Sequence, residues 1–473
     1  MLDLEFLFHP QSIAIVGTPR DLSNIAGGAG FLAALIAFGY EGRVYPINPN
    51  ATEIMGLKSY PDLMSLPETP DYVIACIPAT LTPGLIRECG ARGVKAVGLY
   101  TAGFSEAGEE GEKLEQALAG IAREVGVRLI GPNCMGIYCP ATGVSYQRGQ
   151  SKEPGPVALL CQSGGNSNIL ALMGRDRGIR FSKIISYGNA VDLNETDFIE
   201  YLTGDADTAV IGAYIEGVKG GPRFLPALAT AADSKPVIVL KGGLTDAGTR
   251  AIASHTGSLA TPREKWDSLC RQAGAMQVYN LDEMLDLIVT ALYMRPAEGR
   301  RVGIVGWGGG ASVLNAEACE SAGLKVPAFS PGLRQQMVDF AYGPGASISN
   351  PVDSPVVTDT SLFSRTLGLI ADSGEVDIIL VQLPLATPHT VGDAGLWDRA
   401  RETVLDVSKS LSTPLVAVQP STAHPESSDV YNRFQHKCAD IGLPVYATAR
   451  DAALAVSRFT EYHALRRSRK TLR

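Results

Sequence analysis

The short apolar run Ser12-Ile13-Ala14-Ile15-Val16 ends in Gly17 and leads toward a helix-forming stretch, and this arrangement recurs along the whole chain. Such runs have no polar face, so both faces must be covered, as in a parallel sheet layered between helices. In a first block the pattern predicts strands at 12–17, 43–47, 72–77, 96–100 and 127–130, with helices near 30–39 and over 109–125. A second block predicts strands at 157–161, 184–187, 209–215 and 236–240, with helices over 166–175 and 224–232, and closes with the segment 282–294. A third predicts strands at 301–305, 377–382 and 414–418, with a helix running from the glycine-rich turn after 305 to Gly323. The joints are rich in Pro and Gly: Glu153-Pro154-Gly155-Pro156 and Arg295-Pro296-Ala297-Glu298-Gly299. At 473 residues the chain is too long for one core. The reading is α/β, with three doubly wound domains at 1–150, 151–296 and 297–473. The blocks share no fixed sequence period.

Charge and cysteine usage narrow the function class. A net charge of −8 disfavours non-specific nucleic-acid binding, so no nucleic-acid partner is expected. The basic tail Arg466-Arg467-Ser468-Arg469-Lys470 is too short to change that and reads as a solvated end. No apolar run reaches the length of a membrane span, and the acidic start Met1-Leu2-Asp3-Leu4-Glu5 lacks a signal-peptide pattern. The eight cysteines never form Cys-x-x-Cys and sit in apolar contexts, which predicts a cytoplasmic protein without disulfides or structural metal.

Open α/β sheets bind ligands at the carboxyl ends of their strands. In the first block those ends carry Gly17-Thr18-Pro19-Arg20, Asn48-Pro49, Ile77-Pro78 and Thr101-Ala102-Gly103-Phe104-Ser105-Glu106. Pro19 stands where a Gly-x-Gly-x-x-Gly fingerprint needs its second glycine, so a dinucleotide site is disfavoured, while a phosphate can still approach backbone amides there. Each turn taken alone also fits a structural role. Gly131-Pro132-Asn133-Cys134-Met135-Gly136 is more specific, because its small residues allow close approach. Cys134 has no base nearby in sequence and reads as a packed small hydrophobe more than as a nucleophile.

In the second block, Cys161-Gln162-Ser163-Gly164-Gly165 ends a strand and opens a helix, where backbone N–H groups favour an anion; the plain alternative is an N-cap serine. Tyr214-Ile215-Glu216-Gly217 puts a carboxylate at a strand end, where it can accept a ring N–H from a histidine; the plain alternative is a salt-bridged edge carboxylate. Ser254-His255-Thr256-Gly257-Ser258 lies in a segment with Gly242, Gly243 and Gly248, which reads as a mobile loop. An accessible imidazole of this kind can carry a group covalently; the plain alternative is a surface histidine in a flexible loop. In the third block, Asn350-Pro351-Val352-Asp353 reads as an Asn/Asp turn without chemistry.

Together these motifs resemble the α subunit of NDP-forming acyl-CoA synthetases, relatives of the succinyl-CoA synthetase α subunit, over nearly the whole chain. Ser254-His255-Thr256-Gly257 is similar to the family's phosphohistidine motif. The Gly131–Gly136 and Thr101–Glu106 motifs are similar to its CoA-domain motifs. The resemblance implies a Rossmann-like CoA-binding domain followed by two flavodoxin-like domains. It implies His255 as phosphoryl carrier, Glu216 as its orienting carboxylate, and Ser163 and Gly164 as the phosphate site. Gly17, Thr18, Pro19, Asn48, Pro49, Ile77, Pro78, Thr101, Ala102, Gly103, Asn133 and Cys134 are the implied CoA contacts. ADP/ATP or GDP/GTP with Mg2+ would be held by a separate ATP-grasp β subunit in a hetero-oligomer, because all three blocks are already accounted for. Leu244 departs from the family, which often has a basic residue there. Two other readings stand beside this one: a non-catalytic CoA- or acyl-CoA-binding sensor, and a dinucleotide-dependent dehydrogenase, against which Pro19 argues.

Overall fold

A computed structural model of the chain describes residues 4–20, 27–256, 262–341, 343, 345–385 and 394–471. It divides into two compact units, Met1–Arg175 with Arg180–Leu281, and Asp176–Ile179 with Asp282–Arg473.

The first unit holds two large sheets. One is five-stranded and wholly parallel, in the order Arg43–Ile47, Ser12–Val16, Tyr72–Ala75, Ala96–Leu99, Arg128–Ile130. Its central residues Ile13, Ala14, Ile15, Val73 and Val97 have no exposed surface, as double-faced coverage requires. The helix Glu109–Val125 covers part of it. Its first turn carries Glu109, Glu110 and Glu112, its last carries Arg123, and Gly126 ends it in the left-handed region, so charge and cap both match the helix dipole.

The second sheet is six-stranded, in the order Met276–Val278, Val237–Lys241, Val210–Ile215, Pro154–Cys161, Phe181–Ser186, Gly136–Tyr138. The last strand is antiparallel and comes from the chain that has just left the first sheet. The two sheets are therefore stitched together by the Gly131–Met135 turn. Residues 189–193 reinforce the seam: the N–H of Asn189 donates to the Pro132 carbonyl at 3.0 Å and that of Val191 to the Gly131 carbonyl at 3.0 Å.

In the second unit a further six-stranded sheet runs Ser347–Ile348, Val352–Asp353, Val302–Gly306, Ile378–Gln382, Leu415–Val418, Val445–Tyr446, antiparallel only at its first pair. Asn350 acts as a turn anchor here. Its Oδ1 accepts the Ile304 N–H at 2.9 Å, and its Nδ2 donates to the carbonyls of Val302 and Pro327 at 2.9 and 2.8 Å. Asp353 accepts the Gly308 N–H at 2.6 Å, which holds the start of the helix Gly309–Ser321. The same unit includes Arg177, whose guanidinium meets Asp282 and Asp286 at 2.6 Å each. Burial pushes the Asp286 carboxyl up to about 7 against the pull of that guanidinium.

One sequence expectation is corrected. The segment before His255 is not a loop: residues Asp246–Thr256 form a helix, with His255 in its last turn. Thr245 starts it, its Oγ1 accepting the Gly248 N–H at 3.1 Å and its carbonyl the Thr249 N–H at 2.7 Å. Asp246 in the first turn suits the dipole, and alanines at 247, 251 and 253 favour the helix over the conformational freedom of Gly248.

Candidate active site

Gly17 closes the first strand with φ at +91°, and a Cβ there would lie 2.4 Å from the Cys76 carbonyl oxygen. Only glycine lets this turn sit against the neighbouring strand end. Thr18 is turned inward, its hydroxyl donating to the Ile15 carbonyl at 3.0 Å. Asn48 ties the next turn to it by donating from Nδ2 to the Thr18 carbonyl at 2.7 Å. Thr101 does the same further along, its hydroxyl donating to the Ile77 carbonyl at 2.7 Å, while its own carbonyl accepts the Asn133 N–H at 2.9 Å. The strand-end turns are thus cross-linked into one rim.

Against that rim lies a cavity of about 500 Å³, lined by Cys76, Ile77, Tyr100, Thr101, Ala102, Asn133, Cys134, Met135, Gln162, Ser163, Gly164, Gly165, Gly188 and Asn189. One wall comes from strand ends of the five-stranded sheet. The other is the start of the helix Gly164–Asp176 on the six-stranded sheet. Ser163 caps that helix, its Oγ accepting the Asn166 N–H at 3.3 Å, and the N–H groups that open a helix favour a negative ligand. A side chain at Gly164 would meet Met135 Cγ at 3.1 Å, so its smallness lets the two walls approach. A second cavity of about 420 Å³, lined by Gly27, Gly30, Phe31, Tyr100, Met135, Tyr146, Gln147 and Arg148, shares Tyr100 and Met135 with the first.

Of the residues expected to bind CoA or phosphate, Ile77, Thr101, Ala102, Asn133, Cys134, Ser163 and Gly164 line the main cavity. Gly17, Thr18, Pro19, Asn48, Pro49, Pro78 and Gly103 do not line it. Thr18 and Asn48 hold the rim, and Gly103 donates its N–H to Glu106 Oε1 at 2.6 Å. Cys134 is buried, with its Sγ against the Leu99 and Ile130 carbonyls at 3.6 and 3.5 Å, and burial pushes its thiol up to about 12. A thiol so held stays protonated near neutral pH and is a poor nucleophile.

Glu216 follows the strand Val210–Ile215 and is 4% exposed. Its backbone is held from two sides: Gln162 Oε1 accepts its N–H at 2.7 Å, and Lys241 Nζ donates to its carbonyl at 2.7 Å. The Tyr214 hydroxyl, its phenol pushed up by burial and by the carboxylate, donates to Glu216 Oε1 at 3.0 Å. Glu195 secures the loop beyond, its Oε1 accepting the N–H groups of Lys219 and Gly220 at 2.9 and 2.7 Å. The side chain of His255 lies outside the described residues.

The sequence pattern did not single out Gly188 and Asn189. They follow the strand Phe181–Ser186, so the rule that ligands gather at carboxyl ends of strands would have reached them.

Two family models cover this region: a CoA binding domain over residues 11–140 and a succinyl-CoA ligase like flavodoxin domain over residues 154–291. The alpha subunit of ADP-forming acetate–CoA ligase I from Pyrococcus furiosus is 35% identical over 367 residues, covering 76% of this chain and 78% of that one. The chain belongs to the ADP-forming acetate–CoA ligase family. ADP-forming acetate–CoA ligase I from Archaeoglobus fulgidus is also 35% identical, over 80% of this chain but 55% of that protein, so this chain spans about half the length of that ligase. Among solved structures, a dinucleotide forming acetyl-coenzyme A synthetase 1 from Ca. Korarchaeum cryptofilum, in complex with phosphate and ADP, matches with a TM-score of 0.85 at 29% identity, covering 100% of this chain and 99% of that one. The expected fold class, a CoA-binding α/β domain followed by flavodoxin-like α/β domains, stands for this ligase-family chain.

Proposed function

We propose that this chain is the CoA- and phosphate-handling subunit of an NDP-forming acid–CoA ligase, catalysing acyl-CoA + phosphate + NDP = carboxylic acid + CoA + NTP with a partner. The observation that carries this is the cavity of about 500 Å³ walled on one side by the strand ends of the CoA-binding region and on the other by the capped helix start at Ser163 and Gly164. A thioester delivered along the first wall meets an anion held by the second.

An oxygen of hydrogen phosphate attacks the thioester carbonyl, the C–S bond breaks, and the acyl phosphate forms as the phosphate's proton passes to the leaving CoA thiolate. A ring nitrogen of His255 then attacks phosphorus. The P–O bond to the acyl group breaks, and the carboxylate leaves. Glu216 accepts the other ring N–H, which fixes the tautomer and offsets the imidazolium charge. Amides at Ser163 and Gly164 offset charge on the phosphoryl oxygens; a helix terminus contributes about 0.3–1 kcal/mol, so it assists without carrying catalysis. The nucleotide and Mg2+ are assigned to an ATP-grasp β subunit in a hetero-oligomer, which receives the phosphoryl group from His255. Support for two kinds of chain comes from the Pyrococcus relative being an alpha subunit, and from the Archaeoglobus relative being nearly twice as long as the matched region. Three domains, one per large sheet, and a cytoplasmic setting belong to the same proposal. No described helix is long and apolar enough to cross a membrane, and all eight cysteines are unpaired.

The test is co-expression with an ATP-grasp subunit and assay of NTP formation from a panel of acyl-CoA thioesters. Absence of turnover with every thioester, from a complex that assembles, would reject the reading.

A further inference from the structure

Two buried amide side chains line the 500 Å³ cavity, each with one polar end not engaged by the described protein. Gln162 and Asn189 are each 1% exposed. Their neighbours decide which end of each amide is oxygen. Gln162 Oε1 accepts the N–H groups of Glu216 and Gly217 at 2.7 and 3.0 Å, where a side-chain nitrogen would face two donors. Nε2 is the remaining end, and it has no partner among the described residues. Asn189 is the reverse case. Its Nδ2 donates to Glu106 Oε2 at 2.7 Å, Glu115 Oε2 at 2.9 Å and Ser105 Oγ at 3.2 Å, which leaves Oδ1 without a partner among the described residues.

A buried donor and a buried acceptor left unmade are costly, so a ligand that meets both is favoured. The reactive end of an acyl-CoA offers the complement: an amide N–H in its cysteamine arm, two methylenes, sulfur, then a thioester C=O. Both amides are neutral, which suits these neutral groups, while the backbone N–H groups at the Ser163–Gly164 turn suit the phosphate. We infer that Gln162 Nε2 donates to the thioester carbonyl oxygen of bound acyl-CoA, and that Asn189 Oδ1 accepts from its cysteamine N–H. This rests on the acid–CoA ligase reading above. The Gln162 bond strengthens during attack, because the carbonyl oxygen gains negative charge as phosphate adds. The same side chain that meets the thioester holds the loop of Glu216 with its other end.

The experiment titrates the full chain with acetyl-CoA and with S-ethyl-CoA, a thioether that lacks the carbonyl. Gln162→Glu keeps an oxygen for the Glu216 and Gly217 N–H groups and removes the donor. It should weaken acetyl-CoA about 10-fold and leave S-ethyl-CoA within about twofold. Equal loss on both ligands, or no loss on either, overturns the donor. If the Glu variant melts below the unsubstituted chain, Gln162→Met, neutral and of similar size, decides by the same comparison. Asn189→Ala should weaken both ligands alike, since both carry the cysteamine amide; unchanged binding of both overturns the acceptor. Failure of the unsubstituted chain to bind either ligand is a separate outcome, which overturns the ligase reading and this inference with it.

Discussion

Lys241 shows how tightly the surroundings of Glu216 are held. Its ammonium donates to the Glu216 carbonyl at 2.7 Å and lies 5.7 Å from the centre of the buried Trp266 ring. Burial pushes it down from 10.5 to about 8, with the Glu216 charge pulling the other way. Between those two values the unfolded chain keeps a proton that the folded chain has released, so stability rises with pH across the window and is flat below it. Lys241→Met should abolish that rise, which urea unfolding on either side of pH 8 would show; an unchanged slope would mean that another group causes it. At Glu216, substitution by Gln keeps size and the Tyr214 contact but removes charge. Phosphorylation of the chain should slow by about 10²–10⁴-fold with the melting temperature retained, and an unchanged rate would remove the carboxylate from the mechanism. His255→Ala should abolish an acid-labile, alkali-stable phosphoryl label formed from acyl-CoA and phosphate. Persistence of that label in the variant would assign the carrier to another residue.

The elements differ in how plainly they can be read from composition. Buried strands such as Val237–Lys241 and the charged helix Glu109–Val125 are legible because burial on both faces, or dipole-matched charge and a glycine stop, leaves a local trace. Met276–Val278, Val445–Tyr446 and the antiparallel Gly136–Tyr138 are too short to show a period and owe their pairing to partners distant in sequence. The glycines around Asp246–Thr256 suggested a loop, and the Thr245 cap outweighed them. In the cavity, Ser163, Gly164 and Asn133 were legible from turn chemistry. The part played by Asn189 depends on carboxylates at 106 and 115, which only the fold brings to it. Gly17 is the sharpest test of the rim. Gly17→Ala must accept a φ of +91° and a clash with the Cys76 carbonyl, so it should cost about 1–3 kcal/mol and weaken CoA binding. Urea unfolding and CoA titration of the variant check both, and wild-type values for the two would show that the turn relaxes freely.

At the scale of the whole molecule, the proposed reaction is divided between proteins. The purified chain, free of any partner, should form no ATP or GTP from acyl-CoA, phosphate and the diphosphate, and should gain that activity when an ATP-grasp subunit is added. Robust turnover by the chain alone would move nucleotide binding into its own domains. The second compact unit is discontinuous in sequence, Asp176–Ile179 with Asp282–Arg473, and Arg177 joins the two stretches through Asp282 and Asp286. A ribosome releases that tetrapeptide, which runs from the end of the helix Gly164–Asp176 toward the strand Phe181–Ser186, well before the rest of its unit. Domains tend to fold as units in the order they emerge. Here the Arg177 guanidinium that meets Asp282 and Asp286 is made 105 residues ahead of the first of those carboxylates. A nascent chain arrested before Asp282 would carry the Arg177 guanidinium with neither of these carboxylates yet made.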